Sequence, residues 1–213
     1  MIFSEFISKL KSELSRPLPG KQAQLLMTSN RRLREMMDIS QLDKAIKSSV
    51  LVLLYPGKEN IQPYFVVTLR PIYDGIHSGQ ISLPGGQFEF SDLTLMQTAL
   101  RETHEEIGID PAGITIIGQL TELYIPPSNY MVQPFVGFTS VYPEFHPQQE
   151  EVNQIIEIPV NLLLDDNNVM EKNINVRGIQ LSAPSFVING TIIWGATAMI
   201  LSEFKEILRK TGS

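Results

Sequence analysis

The sequence predicts an α/β sandwich, in which a mixed β-sheet lies between helical layers. Runs of apolar and β-branched residues, which are typical of strands, occur both before and after a central segment with helical periodicity. A second amphipathic segment, also with helical periodicity, closes the chain. Strands that flank a central helix, together with a terminal helix, indicate a mixed sheet between helical layers.

The N-terminal part of the chain is predicted to be a helical extension. Apolar residues recur at helical spacing over residues 2–14, and Pro17 and Gly20 then end the helix. Residues 21–47 predict a helix or two and a loop. We expect one domain over residues 1–213, with residues 1–47 packed on it. The extension also carries a basic group, interpreted as solvated surface rather than as a phosphate contact: Arg31, Arg32 and Arg34.

The first strands are predicted to form a hairpin. The run Ser49–Tyr55 is apolar and β-branched and ends at a Pro-Gly turn, and Tyr64–Leu69 is the next such run. Arg70 would then lie at the far end of the hairpin. Residues 71–83 are predicted to be a loop that leads into a Gly-Gly turn.

The second half of the chain continues with short strands and one long helix. Strands are predicted over Ile114 to Ile125, Tyr130 to Val141 and Val152 to Val160. A helical turn is predicted at Asn161 to Asp165, and a hairpin over Phe186 to Ile193. Asn189-Gly190 is the strongest short-range hairpin signal in the chain. Gly195 to Arg209 is predicted to be an amphipathic helix. Tyr130 and Phe135 could stack on an adenine, but we interpret them as core residues.

Composition excludes several classes of function. The chain has 213 residues, a hydrophobic content of 43%, a net charge of -6 and no cysteine. A core of full size is therefore expected, while disulfides, thiolate zinc sites and cysteine nucleophiles are excluded. The negative charge argues against nucleic acid as the main partner, because phosphate backbones bind clustered Lys and Arg.

The ends of the chain carry no recognisable targeting signal. The N-terminus lacks the basic segment and apolar core of a signal peptide, and no apolar run reaches the length of a membrane span. A cytoplasmic protein without a membrane partner is expected. Edge strands and apolar residues in the N-terminal segment would permit a homodimer.

An acidic cluster marks the central helix. Glu102, Glu105 and Glu106 are spaced i, i+3 and i+4, which places the three carboxylates on one helical face. Like charges at this spacing repel one another, and a divalent cation such as Mg²⁺ or Mn²⁺ would remove that cost. Asp92 is predicted to be the N-cap and Gly108 the C-cap of this helix. A solvated acidic face is the alternative for an isolated cluster.

The segment that contains this cluster resembles the Nudix box, the signature of hydrolases that cleave nucleoside diphosphates linked to another group. The run Arg101–Ile109 reads Arg-Glu-Thr-His-Glu-Glu-Ile-Gly-Ile and matches the end of that box completely. The resemblance implies a Nudix-type α/β/α sandwich and a pyrophosphohydrolase that depends on Mg²⁺ or Mn²⁺.

Two further features resemble the coenzyme A pyrophosphatase branch of that family. The box has one extra residue before Arg101, Asp92 stands where the standard box has a glutamate, and Thr-Ala-Leu precedes the arginine. Upstream, Val66–Arg70 and His77–Gly86 match most of a second motif of the branch. Two positions depart from it, since Gly75 replaces an arginine and Leu83 replaces a phenylalanine. The departure at Gly75 bears on the substrate and not on the family.

The resemblance also implies roles for the residues of the site. Glu102 and Glu106 are the first choice as metal ligands, and Glu105 is a further ligand or the base that polarises the water. The backbone carbonyl of Gly85 or Gly86 could add a ligand. Arg101 would orient a carboxylate of the box. The distant Glu151 would complete the metal site or act as base, although a solvated pair with Glu150 explains it as well.

Contacts to the substrate are implied for residues upstream of the box. Arg70 would contact a phosphate, with a surface ion pair as the alternative. His77 would either hold its loop or meet the substrate, and the loop role is favoured. Gln80 and Gly86 complete the predicted substrate-binding set, and Asp92 is interpreted as an N-cap before it is considered part of the carboxylate network.

The predicted reaction is hydrolysis of a small nucleotide-type substrate. The leading hypothesis is cleavage of coenzyme A or an acyl-CoA to 3′,5′-ADP and a 4′-phosphopantetheine. A Nudix pyrophosphatase for ADP-ribose, NADH or dinucleoside polyphosphates is the first alternative. A nucleotide-sensing domain without turnover is the second, and the intact acidic motif speaks against it.

Overall fold

Strands lie before and after a central helix, and a further helix closes the fold, as predicted. The computed structural model describes residues 2–29, 42–58, 62–74, 77–176 and 178–212. The helices are α1 (Phe3–Leu14), α2 (Gly20–Leu25), α3 (Leu95–Ile107), α4 (Val160–Leu164) and α5 (Gly195–Lys210). The strands are β1 (Ile46–Pro56), β2 (Pro63–Leu69), β3 (Ile81–Ser82), β4 (Gly85–Gln87), β5 (Thr115–Gln119), β6 (Leu123–Ile125), β7 (Tyr130–Phe138), β8 (Gln154–Pro159), β9 (Val169–Val176), β10 (Ile179–Ile188) and β11 (Thr191–Ile193).

The main sheet is mixed, as predicted. Strand β1 runs parallel to β7 on one side and antiparallel to β2 on the other. Strands β5 and β6 pair with β7, and β8 pairs with the outer edge of β2. The predicted hairpin of β1 and β2 is confirmed, and Arg70 directly follows the end of β2.

A short extended segment separates one end of β1 from β2. Strand β4 pairs with Ser48 to Val50 of β1, whereas β3 pairs with Thr68 and Leu69 of β2. The segment over residues 81–87, which the sequence predicts to be the end of the loop and the Gly-Gly turn, is therefore held in the sheet by both neighbours. The Gly-Gly turn is thereby fixed between β1 and β2, at the end where these two strands no longer pair with each other.

Both faces of the sheet are covered by helices. Alternate residues of β1 point to opposite sides, so that Val52 and Leu54 join the core beneath α1 and α5, while Leu51 and Leu53 join the core beneath α3. All four side chains are fully buried. Burial of each contributes about 1.5–3 kcal/mol, and the two cores lock α3 and α5 to opposite faces.

A small second sheet consists of β9, β10 and β11. The predicted hairpin turn is confirmed, because Asn189 and Gly190 have φ values of 50° and 83° between β10 and β11. The pairing of β9 with β10 is missing from the sequence prediction. Strand β9 reads Val-Met-Glu-Lys-Asn-Ile-Asn-Val and is mostly exposed, so it lacks the apolar run that indicates a buried strand.

The N-terminal helix α1 is confirmed, and it packs its apolar side into the core beneath α5. The predicted α5 is confirmed from Gly195 to Lys210. The basic group at Arg31, Arg32 and Arg34, and also Gly75, lie outside the described residues. None of the helices in the described ranges is long and apolar enough to cross a membrane.

Candidate active site

Helix α3 presents the acidic cluster. Its C-terminal end is the predicted one, since Gly108 adopts a left-handed φ of 77° and its N–H donates to the His104 carbonyl. The predicted N-cap is wrong. Thr94 caps the helix by accepting from the Gln97 N–H, and Asp92 lies two residues further upstream. Asp92 is instead a buried partner of Arg101, whose guanidinium donates to its carboxylate.

Asp92 and Arg101 form the framework of the cluster. Arg101 Nε and Nη2 each donate to a separate Asp92 oxygen at 3.0 Å, and Nη1 donates to Glu102 at 3.0 Å and to Glu105 at 2.9 Å. The bonds from Arg101 lower the pKa of Asp92 to about 2. Arg101 thus contacts carboxylates of the box, as the resemblance implies.

Glu151 reaches the cluster from a distant part of the sequence. The segment after β7 hydrogen-bonds to the end of α3, because the N–H groups of His146 and Gln148 donate to the Ile107 and Glu106 carbonyls. The Glu151 N–H then donates to the Gln148 carbonyl. These backbone bonds bring Glu151 back to α3, although three strands (β5, β6 and β7) and their connections separate the two in the sequence.

Glu102, Glu106 and Glu151 each bring a carboxylate oxygen within 4.8 Å of the other two. Glu106 is buried, Glu102 is half-buried and Glu151 is exposed. Glu105 lies outside this group. Its side chain is nearly half exposed and pairs with Arg101 instead, so three of the four predicted glutamates converge.

Burial dominates the electrostatics of the cluster. It raises the pKa of Glu106 to about 8, with further contributions from the charges of Glu102 and Glu151, while Arg70 and the Gly85 backbone oppose the shift. Burial also raises the pKa of Glu102, against the effect of Arg101. The site therefore concentrates negative charge where solvent screens it poorly.

The Gly-Gly turn lies directly against these carboxylates. A Cβ on Gly86 would stand 2.4 Å from the Glu102 carboxylate, and a Cβ on Gly85 would stand 2.2 Å from the Ser49 carbonyl oxygen. Gly85 also has a φ of 153°. Only glycine therefore lets the β4 backbone approach both β1 and α3 so closely.

A divalent cation fits this donor set. Within the part of the chain that the structure describes, Glu106 Oε2 is buried and has no hydrogen-bond partner. An orphaned carboxylate oxygen is costly in the folded state, and two further carboxylates lie within reach of it. Hard oxygen donors of this kind are the ligands that Mg²⁺ and Mn²⁺ prefer.

A cavity of about 1040 Å³ opens from the carboxylates. Arg70 lines it, with Nη2 at 3.6 Å from Glu106 Oε1 and Nε donating to Ser82 Oγ. His77 and Gln80 line it too, and their side chains meet at 3.2 Å within one turn. Gln80 also accepts the Arg70 N–H through its carbonyl, so this turn holds the end of β2. Of the two aromatic residues interpreted as core, Phe135 is buried while the partly buried Tyr130 borders the cavity.

The family of this chain is shown by its match to a known protein domain. A model of the NUDIX domain matches residues 45–173, which is more than half of the chain. The chain belongs to the Nudix family. All three converging carboxylates lie inside the matched range: Glu102 and Glu106 of the box, and the distant Glu151.

Known Nudix proteins resemble this chain over most of its length. A Yersinia enterocolitica protein, the uncharacterized Nudix hydrolase NudL, is 30% identical over 189 residues, which are 86% of this chain and 96% of that protein. Its Yersinia pestis counterpart is 32% identical over 145 residues, covering 68% and 72%. The crystal structure of RenU, a Nudix hydrolase from M. smegmatis, has a TM-score of 0.54 at 14% identity and covers 78% of this chain and 86% of RenU.

These matches make the protein a Nudix pyrophosphohydrolase with the mixed-sheet Nudix fold. Nudix enzymes generally use divalent metal ions, and the acidic cluster is a candidate site for one. The sequence prediction did not include the far wall of the cavity, which β10 and Trp194 help to build. No motif marks those residues. The single tryptophan of the chain, just after a hairpin, is the one signal that could have drawn attention to them.

Proposed function

We propose that the protein is a divalent-metal-dependent hydrolase of coenzyme A or its thioesters. The observation that carries this proposal is the convergence of three carboxylates, one of them with an orphaned buried oxygen, at the mouth of a large cavity. A pyrophosphohydrolase needs concentrated carboxylates to hold a cation, and space beside them for a diphosphate.

Glu102, Glu106 and Glu151 would hold the cation, and the carbonyl of Gly85 or Gly86 is proposed as a further ligand because the Gly-Gly turn lies against Glu102. When bound, Mg²⁺ or Mn²⁺ neutralises charge on the phosphoryl oxygens and polarises the attacking water. Water adds its oxygen to one phosphorus, the bridging P–O bond breaks, and two phosphomonoesters leave. For coenzyme A these products are 3′,5′-ADP and 4′-phosphopantetheine.

Residues around the cluster supply orientation. Arg101 keeps Glu102 in place through its fixed bonds to Asp92. Arg70 extends along the cavity wall beside Glu106, where its guanidinium can contact a phosphate once the carboxylates are engaged. Gln80 holds Arg70 by accepting its N–H through the backbone carbonyl, and the side chains of His77 and Gln80 border the space where the substrate would lie.

Glu151 is proposed to accept the proton of the attacking water through the carboxylate oxygen that does not contact the cation. It is the exposed member of the converging group, whereas Glu105 is held by Arg101 outside that group. Glu151→Gln should lower kcat by about 10²-fold or more, within the range for general bases, and Glu105→Gln should lower it far less. The opposite ranking would assign the base to Glu105.

A nucleotide carrying a long appendage is the substrate class that the cavity volume supports. The volume of about 1040 Å³ slightly exceeds the roughly 300–1,000 Å³ of ordinary small-molecule pockets. The motif at Val66–Arg70 and His77–Gly86, which resembles the coenzyme A branch, supports the same class.

The decisive experiment is a substrate panel. The purified protein is incubated with Mg²⁺ or Mn²⁺ and coenzyme A, ADP-ribose, NADH or diadenosine polyphosphates, and the products are separated by chromatography. We expect 3′,5′-ADP and 4′-phosphopantetheine, no reaction in EDTA, and no reaction with Glu106→Gln. Cleavage of ADP-ribose without cleavage of coenzyme A would overturn the proposed substrate. Saturable binding without cleavage of any compound would identify a sensor.

A further inference from the structure

The cavity has two chemically different ends. Among the described residues, its charged walls are all near the acidic cluster: Arg70, Glu102, Glu106, Glu150 and Glu151. The remaining wall is built mainly from apolar side chains of the small sheet, of α5 and the residue before it, of β6 and β7, and of the N-terminal extension: Met27, Ile125, Val132, Val176, Ile179, Leu181, Ala183, Trp194 and Ile200. We call this wall the apolar end.

Three of the hydroxyl groups that line the cavity donate to the backbone of the protein. Ser49 Oγ donates to the Gln133 carbonyl, Ser48 Oγ donates to the Met131 carbonyl, and Thr197 Oγ1 donates to the Ile81 carbonyl. These donors are already engaged with the backbone. These three hydroxyl protons are not available to a ligand, so a polar or charged ligand group buried beside them would lose its hydrogen bonds to water without replacing them there.

The apolar end is assembled by parts of the chain outside the Nudix box. Leu181 and Ala183 belong to β10, Trp194 precedes α5, and Ile200 lies within α5. All four follow residue 173, where the match to the NUDIX domain model ends. The carboxylates and the apolar end thus share one cavity, although different segments of the chain supply them.

We propose that the apolar end binds the acyl-pantetheine arm of an acyl-CoA, so that the enzyme prefers acylated coenzyme A over the free thiol. This inference rests on the proposed function and specifies the substrate of the same site. The nucleotide half of such a substrate carries a 3′-phosphate and polar base edges, which need charged or polar partners. The acyl half ends in a hydrocarbon chain, which is stabilised further by each methylene that is buried. With the diphosphate at the carboxylates, the half that suits the apolar end is the acyl arm.

A chain-length series tests the preference. We measure kcat/KM for coenzyme A, acetyl-CoA, hexanoyl-CoA and octanoyl-CoA with the wild-type protein and Mg²⁺. The value for octanoyl-CoA should exceed that for coenzyme A by about tenfold or more, since individual methylenes in apolar pockets change specificity by about that factor. Equal values across the series would overturn the inference while leaving the proposed function intact. Absence of any cleavage would instead overturn the proposed function.

Two isoleucines of the small sheet provide a matched pair of variants. Ile179 is 54% exposed and lines the cavity, whereas Ile192 is 38% exposed and does not. Neither belongs to the core, so replacement by serine should leave the fold intact. Ile179→Ser should lower the ratio of kcat/KM for octanoyl-CoA to that for coenzyme A by about tenfold, and Ile192→Ser should not change the ratio. Equal effects of both variants would contradict the assignment of this wall.

Trp194 offers a readout that does not depend on turnover, because it is the single tryptophan of the chain and lines the apolar end. The two halves of the substrate are titrated separately in the presence of Mg²⁺. Octanoyl-4′-phosphopantetheine should shift the tryptophan emission to shorter wavelength, and 3′,5′-ADP should not. A saturable shift with 3′,5′-ADP and none with the acyl half would assign this end to the nucleotide and overturn the proposal.

Discussion

Glu106 is the residue at which burial and function conflict most directly. Its side chain is 4% exposed, one of its oxygens lacks a partner among the described residues, and its pKa is raised to about 8. A buried carboxyl group without a cation is best accommodated in its protonated form. A cation reverses this preference because it binds the ionised carboxylate.

The resulting pH dependence has a definite sign. An unfolded glutamate titrates at about 4.5, so between that pH and about 8 the folded protein retains a proton that the unfolded chain has lost. The stability from protonated Glu106 is thus complete below pH 4.5 and is lost as pH rises through about 8. Above that value Mg²⁺ no longer competes with a proton. The rise in Tm caused by saturating Mg²⁺ should therefore increase from pH 6 to pH 8.5.

The control for this measurement is Glu106→Gln, which has no carboxyl group to titrate. Its Tm should respond little to Mg²⁺ at any pH, and its metal-free form should remain folded because the substitution also removes one of the clustered charges. A Mg²⁺-dependent rise in the wild-type Tm that is constant across this pH range would contradict the assignment of Glu106 as a ligand.

Gly86 is predicted to matter through the space it leaves for Glu102. In Gly86→Ala the new Cβ would stand 2.4 Å from the Glu102 carboxylate, which has to move away. We expect kcat/KM to fall by about 10²-fold, the effect of roughly 1 Å of misplacement at a catalytic group. Gly113→Ala is the matched control, since nothing lies within 4 Å of its Cβ position. Equal activities of the two variants would show that the approach of β4 to α3 is unimportant.

At the scale of elements, the end of α3 connects two parts of the site. Gly108 ends the helix in the left-handed region, and the segment that leads to Glu151 passes directly over it. A Cβ on Gly108 would lie 2.6 Å from the His146 Cβ. The same glycine therefore ends the helix and leaves room for the chain that returns Glu151 to the cluster.

A comparison of Gly108→Ala with Gly190→Ala separates the strain of a left-handed backbone from overpacking against His146. Both glycines have a left-handed φ, of 77° and 83°, but only the first would bring its Cβ against a neighbouring chain. Each variant pays roughly 1–2 kcal/mol of backbone strain, and Gly108→Ala should lose a further 1–3 kcal/mol through overpacking, measured by urea unfolding. Gly108→Ala should also bind Mg²⁺ more weakly. Equal losses in the two variants would exclude the contact with His146 as a cause.

At the scale of the whole molecule, Glu203 joins distant segments of the chain. Its buried carboxylate in α5 accepts from the Gly20 N–H at 3.1 Å, from Gln24 Nε2 at 2.9 Å and from Thr121 Oγ1 at 2.6 Å. These partners lie in the N-terminal extension and in the connection between β5 and β6. We propose on this basis that residues 1–47 belong to one domain with the rest of the chain.

Glu203→Ala tests how much the hydrogen bonds of this carboxylate stabilise the protein. The substitution leaves several buried donors without an acceptor, so the free energy of unfolding should fall by about 3 kcal/mol. Glu206→Ala is the control on the same helix. Glu206 is partly exposed and pairs with Arg209, and its loss should cost less than about 1 kcal/mol. A loss below 1 kcal/mol in Glu203→Ala would show that the extension is held by its apolar contacts alone.

Elements whose signals are local can be predicted from the order of the residues. The periodicity of α1, α3 and α5, the buried run of β1, the Asn-Gly turn and the spacing of Glu102 and Glu106 are all set by neighbouring residues, and each is found in the structure. The Nudix box belongs to the same class, because its pattern is contained in one continuous segment. Strand β9 was missed because an exposed strand carries little apolar signal.

Contacts between residues that are distant in the chain depend on how the elements pack together. Asp92 is a partner of Arg101 rather than a helix cap, Glu105 turns away to the same arginine, and Glu151 reaches the cluster through backbone bonds to the end of α3. The apolar end of the cavity is likewise formed by segments far apart in the chain. Such contacts depend on how two covered sheet faces and their connections pack in space. No spacing within one segment contains that information, whereas the position of a carboxylate on a helix follows from its neighbours.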